Sequence, residues 1–185
     1  MKKNFGKANY LYPMPVFIIA TYDENGNANA MNAAWGGTHD TNQIAICIDP
    51  SHKTAKNLLL KKAFTVSMAD AAHVKECDYL GIASGNKASD KLKKAGFTVT
   101  KSENVDAPII NELPMCLECE LVSYEETSGC MVGNILNVSA EESVLTDGKI
   151  DPAKLSPITY DPVNHKYIKL GEVVGKAFSD GKALL

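Results

Sequence analysis

Apolar and polar positions alternate with a period of two over much of the chain, the spacing of strands that show one face to a core. Ile44, Ile46 and Ile48 alternate with Ala45 and Cys47, which predicts a strand over Gln43–Ile48. Met115–Glu125 is patterned more clearly: Met115, Leu117, Cys119 and Leu121 share one face, with Glu118 and Glu120 on the other. Cys130–Ala140 reads as its hairpin partner, with Gly133 as a candidate bulge. The strand expected over Val16–Tyr22 opens with a nearly continuous apolar run, Val16–Ala20, the mark of burial on both faces. Asn27–Ala33 consists mostly of small residues, and Asn25-Gly26 before it suits a tight hairpin turn. Phe64–Ala69, Phe97–Thr100 and Thr159–Lys169 add further β-like runs. Trp35-Gly36-Gly37 breaks the pattern, and Ala107–Pro114, with two prolines, reads as a connector.

Helical spacing is scarcer. Asp49-Pro50 stops the third strand, and Ser51 is a good N-cap for a helix over Lys53–Lys62. Ala71–Leu80 predicts a second helix, a short one ends at Gly96, and Asp151–Leu155 makes at most one turn. Six or seven short strands with few long helices predict a mainly β fold, a β-barrel with helical insertions. No repeat or linker interrupts residues 1–185, so a single domain is expected.

Composition narrows the function classes. The net charge of -3 argues against nucleic acid as a partner. No stretch approaches the roughly 20 apolar residues of a membrane span, and no apolar run follows Lys2 and Lys3, so neither a membrane anchor nor a secretory signal is expected. Five cysteines, an odd number, favour reduced thiols and a cytoplasmic location. Neither a G-x-G-x-x-G nor a G-x-x-x-x-G-K-[ST] motif is present, and the four histidines form no HExxH. Cys116 and Cys119 lie three apart on a strand and point to opposite faces, so they read as ordinary thiols, not a metal pair.

The turn at Ser51–Asn57 carries more chemistry. A helix N-terminus leaves backbone N–H groups free to bind an anion, and Lys53 and Thr54 add an ammonium and a hydroxyl. Taken one at a time, this turn reads as a capped surface helix, Trp35 as a core residue and Asp90-Lys91 as a solvated pair. In order and spacing they form a pattern: Pro13-x-Pro15-Val16 with Thr21, then Asn29, Trp35, and Thr54 with Asn57. Cys77-Asp78-Tyr79-Leu80-Gly81, Ser84-Gly85, Asp90-Lys91, Ala95-Gly96-Phe97-Thr98, Pro108, Cys119, Val132-Gly133 and Tyr167 with Leu170-Gly171 continue it. The pattern resembles the flavin reductase-like, FMN-binding split-barrel family, nearest its flavoredoxin branch.

That resemblance implies a six-stranded Greek-key split barrel that forms a homodimer, with FMN at the subunit interface. It implies that Asn29, Asn32, Ala33, Ala34 and Trp35 lie along the flavin ring or its ribityl chain. Ser51, Lys53, Thr54 and Asn57 would surround the phosphate. Ser84 and Lys91 would reach the flavin from an inserted loop, Lys91 as a flavin-tuning residue, and Tyr167 would pack near the ring. The implied activity is that of an oxidoreductase moving electrons from NAD(P)H through FMN to a flavin, ferric or protein acceptor. One departure bears on this. Relatives often carry a histidine shortly before the glycine matching Gly133, and Thr127-Ser128-Gly129-Cys130-Met131 has none. An electron carrier without its own nicotinamide site is therefore the alternative, and a flavin-free binding barrel a third reading.

Overall fold

The computed structural model describes residues 1–185. In chain order the strands are β1 (Met14–Pro15), β2 (Phe17–Tyr22), β3 (Ala28–Ala33), β4 (Gly36–Asp40) and β5 (Gln43–Cys47), followed by helix α1 (Lys53–Lys61) and β6 (Ala63–Met68). Helices α2 (Val74–Ile82) and α3 (Lys91–Lys94) come next, then β7 (Val99–Lys101), β8 (Pro108–Ile110), β9 (Met115–Glu125) and β10 (Cys130–Ala140). The chain ends through β11 (Leu145–Thr146), β12 (Lys149–Ile150), α4 (Pro152–Leu155), β13 (Ile158–Asp161) and β14 (Lys166–Lys169).

The main sheet is antiparallel, with seven strands in the order β3-β2-β6-β9-β10-β5-β4. Its first and last strands, β3 and β4, are separated in the chain by only Ala34 and Trp35. Two residues cannot cross a flat sheet of this width. The sheet therefore curls until its two edges approach, and β3 and β4 do not pair: the barrel is split at that seam.

Two apolar cores flank β2, as its continuous hydrophobic run predicts. Phe17 and Ile19 point into the barrel with Ile44, Ile46, Phe64, Val66 and Met131, while α1 closes one end through Ala55 and Leu58. Val16, Ile18 and Ala20 point outward and are covered by α2, α3 and the segment through Phe97 and Ile110. β9 and β10 have the expected limits, and their register shifts between Val132 and Gly133 as expected for a bulge.

Several expectations change. The stretch read as a break, Gly36-Gly37, opens β4, and the Pro108 connector holds β8, which pairs with β7. β4 lies at the sheet edge, where weak strand formers are tolerated. With β4 the sheet has seven strands, one more than the six expected. Thr159–Lys169 is a hairpin, β13 with β14, and β1 adds to it. Glu118, on the face of β9 opposite Leu117 and Cys119, is buried and accepts from Ser102, Asn104 (3.0 Å) and Asn137 (2.6 Å). No helix is long and apolar enough to cross a membrane.

Candidate functional site

Helix α1 begins where Asp49-Pro50 ends β5. His52 is its N-cap, not Ser51, and no side chain caps it. Ser51 is exposed; its N–H donates to Asp49 Oδ1 (2.8 Å) and its carbonyl accepts from Asn86 Nδ2 (3.0 Å). The first three amides of the helix, at Lys53, Thr54 and Ala55, have no hydrogen-bond partner in the protein. Thr54 is buried, and its Oγ1 accepts from Asn29 Nδ2 (2.9 Å), which leaves its own proton free to donate.

These groups open onto a cavity of about 210 Å³, lined among others by Asn29, His52, Lys53, Thr54, Ser84 and Lys91. No carboxylate lines it. Lys53 Nζ pairs with Asp23 (2.9 Å), and that ammonium holds the Asp23 carboxyl at about 2. Lys91 is buried, donates to the carbonyls of Leu80 (3.0 Å) and Ala83 (2.7 Å), and so closes the C-terminus of α2. It has no acidic partner, and burial lowers its pKa to about 8. Gly85 lies against β3: a Cβ there would meet Asn29 Oδ1 at 2.2 Å.

A second cavity of about 440 Å³ meets the first at Gly81 and Ile82. Asn32, Ala34, Asp78, Tyr160, His165 and Tyr167 line it. Tyr167 donates to Asp78 Oδ1 (2.7 Å), and burial with that carboxylate raises its pKa. Tyr160 hydrogen-bonds His165 Nδ1 (2.8 Å), and Asn32 Nδ2 donates to the Cys77 carbonyl (3.3 Å). Asn29 and Asn32 fall on opposite faces of β3, so the two cavities wrap around the strand's unpartnered edge.

The residues singled out in the sequence thus divide. Asn29, Lys53, Thr54, Ser84 and Lys91 meet at the first cavity, and Asn32, Ala34 and Tyr167 at the second. Ala33 points into the barrel core instead. Asn57 is buried one turn into α1 and donates to Thr21 Oγ1 (3.0 Å), away from the free amides. Trp35 adjoins neither cavity in the single chain: it is 60% exposed and lines a separate groove beside Cys47 and Cys130. The Asp78–Tyr167 pair was not foreseen, because its members lie 89 residues apart and only the β13–β14 hairpin brings them together.

The donor set suits a ligand with a charged end and a flat body. Free amides, a hydroxyl and a buried ammonium without a counter-ion favour a dianion. The neighbouring tyrosine and small side chains leave room for a planar ring, and the strand edge offers unpaired peptide groups.

The flavin reductase like domain family matches residues 9–162. Flavoredoxin of Desulfovibrio vulgaris (Miyazaki F) is 37% identical, with a TM-score of 0.94 over 98% of this chain and 100% of that one. Flavoredoxin from Methanosarcina acetivorans is 29% identical, with a TM-score of 0.91 over 100% of both chains. An FMN-binding domain of a flavin reductases-like enzyme from Shewanella baltica OS155 shares the fold at 18% identity, with a TM-score of 0.77 over 88% of each chain. The chain belongs to the flavin reductase-like family, in its flavoredoxin branch.

Proposed function

We propose that the protein binds FMN and works as a flavin-dependent oxidoreductase. When bound, FMN supplies the redox chemistry, taking electrons from NAD(P)H and passing them to a flavin, ferric or protein acceptor. The reading rests on one observation: three unpartnered amides opening α1 beside the Thr54 hydroxyl, in a cavity free of carboxylates. Those amides, with Thr54, hold the phosphate. Ser84 stands at the rim, and Asn29 orients Thr54. Lys91, charged below its pKa of about 8, favours negative charge in the cavity. Asn32, Ala34 and Tyr167 receive the ring, with the β3 edge within reach of its polar atoms. A second copy of the chain completes the open side of the ring cavity, which makes the working unit a homodimer.

Titrating the purified protein with FMN, with flavin fluorescence as the readout, tests the binding. A folded protein that leaves FMN fluorescence unchanged overturns it. A second reading is favoured by the histidine missing from Thr127–Met131 and by the two flavoredoxin likenesses: an electron carrier with no nicotinamide site. Anaerobic mixing of the FMN-loaded protein with NADH and with NADPH separates the two. Loss of the flavin absorption band supports the reductase, and an unchanged band the carrier.

A further inference from the structure

Cys47 and Cys130 face each other across the β5–β10 ladder, as direct Cα partners. The Cys47 N–H is turned to β4, donating to the Trp35 carbonyl (2.8 Å), while the neighbouring rung joins the Ile48 N–H to the Gly129 carbonyl (2.7 Å). The two cysteines are therefore a non-hydrogen-bonded pair, in which α-carbons lie about 4.5 Å apart and side chains come closest. That spacing falls inside the range of roughly 4.4–6.8 Å that disulfides use. Both side chains project from the outer face of the sheet, since Ile46 and Met131 beside them fill the barrel.

Their surroundings separate them from the other three cysteines. Cys77, Cys116 and Cys119 are sealed in the core, and burial pushes their thiols up to about 12, 11 and 12. Cys47 is exposed and Cys130 half-buried; partial burial and the neighbouring Cys130 thiol raise Cys47 as well, so access to solvent is what sets this pair apart. Glu125 lies across from Cys130 on β9, but its carboxylate is engaged by the amides of Thr127 (2.9 Å) and Ser128 (2.6 Å). An apolar groove of about 350 Å³, lined by Leu11, Pro13, Pro15 and Trp35, runs beside both sulfurs.

We propose that Cys47 and Cys130 form a second redox site, a dithiol that exchanges with low-molecular-weight disulfides. The Cys47 thiolate attacks one sulfur of the substrate, forms a mixed disulfide and releases the first thiolate, which takes up a proton. The Cys130 thiolate then attacks the Cys47 sulfur, closes the cross-strand disulfide and releases the second thiolate. The substrate disulfide is reduced to two thiols, and the protein dithiol loses two protons and two electrons. Excess thiol reverses both steps.

The test is to incubate the full chain with oxidised glutathione, denature it and alkylate it. The wild type is expected to lose two of its five thiols, carry no glutathione, and yield one linked peptide pair containing Cys47 and Cys130. Emission from Trp35, the single tryptophan, is expected to fall on oxidation and recover with reduced glutathione. Cys130→Ser traps the first step as a stable glutathione adduct on Cys47, and Cys47→Ser, at an exposed position, abolishes adduct and crosslink alike. Five surviving thiols, a lasting adduct on wild-type Cys47, or a crosslink through another cysteine would overturn the proposal. None of these readouts depends on FMN.

Discussion

Thr54 and Lys91 respond differently to substitution because one offers a hydroxyl and the other a buried charge. Thr54→Ala removes a donor aimed at a dianion, so FMN affinity is expected to fall by about 1–2 kcal/mol, the scale of a hydrogen bond to a charged group. Thr54→Ser should recover most of it, and flavin fluorescence titration reads both. Lys91 titrates at about 8 in the folded chain against about 10.4 when unfolded. From pH 8 to 10 the unfolded chain holds more protons, so the stability of the cofactor-free protein rises with pH. FMN binding should follow the opposite course, weakening as Lys91 loses its charge. Lys91→Met is expected to remove this part of the pH dependence, checked by dissociation constants between pH 7 and 10.

At the level of elements, Gly133 shows how little slack the barrel has. A Cβ there would lie 2.4 Å from Phe64 Cζ, and Phe64 is fully buried in the core. Gly133→Ala should cost about 1–3 kcal/mol, as overpacking does, measured by urea denaturation. Such elements were legible where burial imposes a period. β9 and β10 alternate cleanly, β2 is apolar on both sides, and α1 starts after a proline. β4 and β8 were not, because Gly36-Gly37 and Pro108 have low strand propensity and pairing alone holds them extended. The site divides in the same way. The free amides of α1 follow from Asp49-Pro50 and the helical run, so they could be read directly. Asn57 misled because helical spacing fixes its face but not its neighbour, Thr21, on another element.

The whole molecule leaves apolar surface uncovered. Trp35, Val122, Leu136, Val138, Val173, Val174 and Phe178 are all exposed. Surfaces of this kind mark contacts with other molecules, and light scattering is expected to report a dimer. A monomer that binds FMN at full affinity would contradict the shared site. The pairing of β5 with β10 also governs how the chain reaches its native state. The β9–β10 hairpin is local, yet closing the sheet requires β5 to meet β10, and Gln43 bonds Asn134 across 91 residues of sequence. Loop-closure entropy makes such a rung late to form. Refolding should take milliseconds to seconds, as in chains dominated by distant contacts, and two raw strand edges stay open to foreign chains until that rung forms.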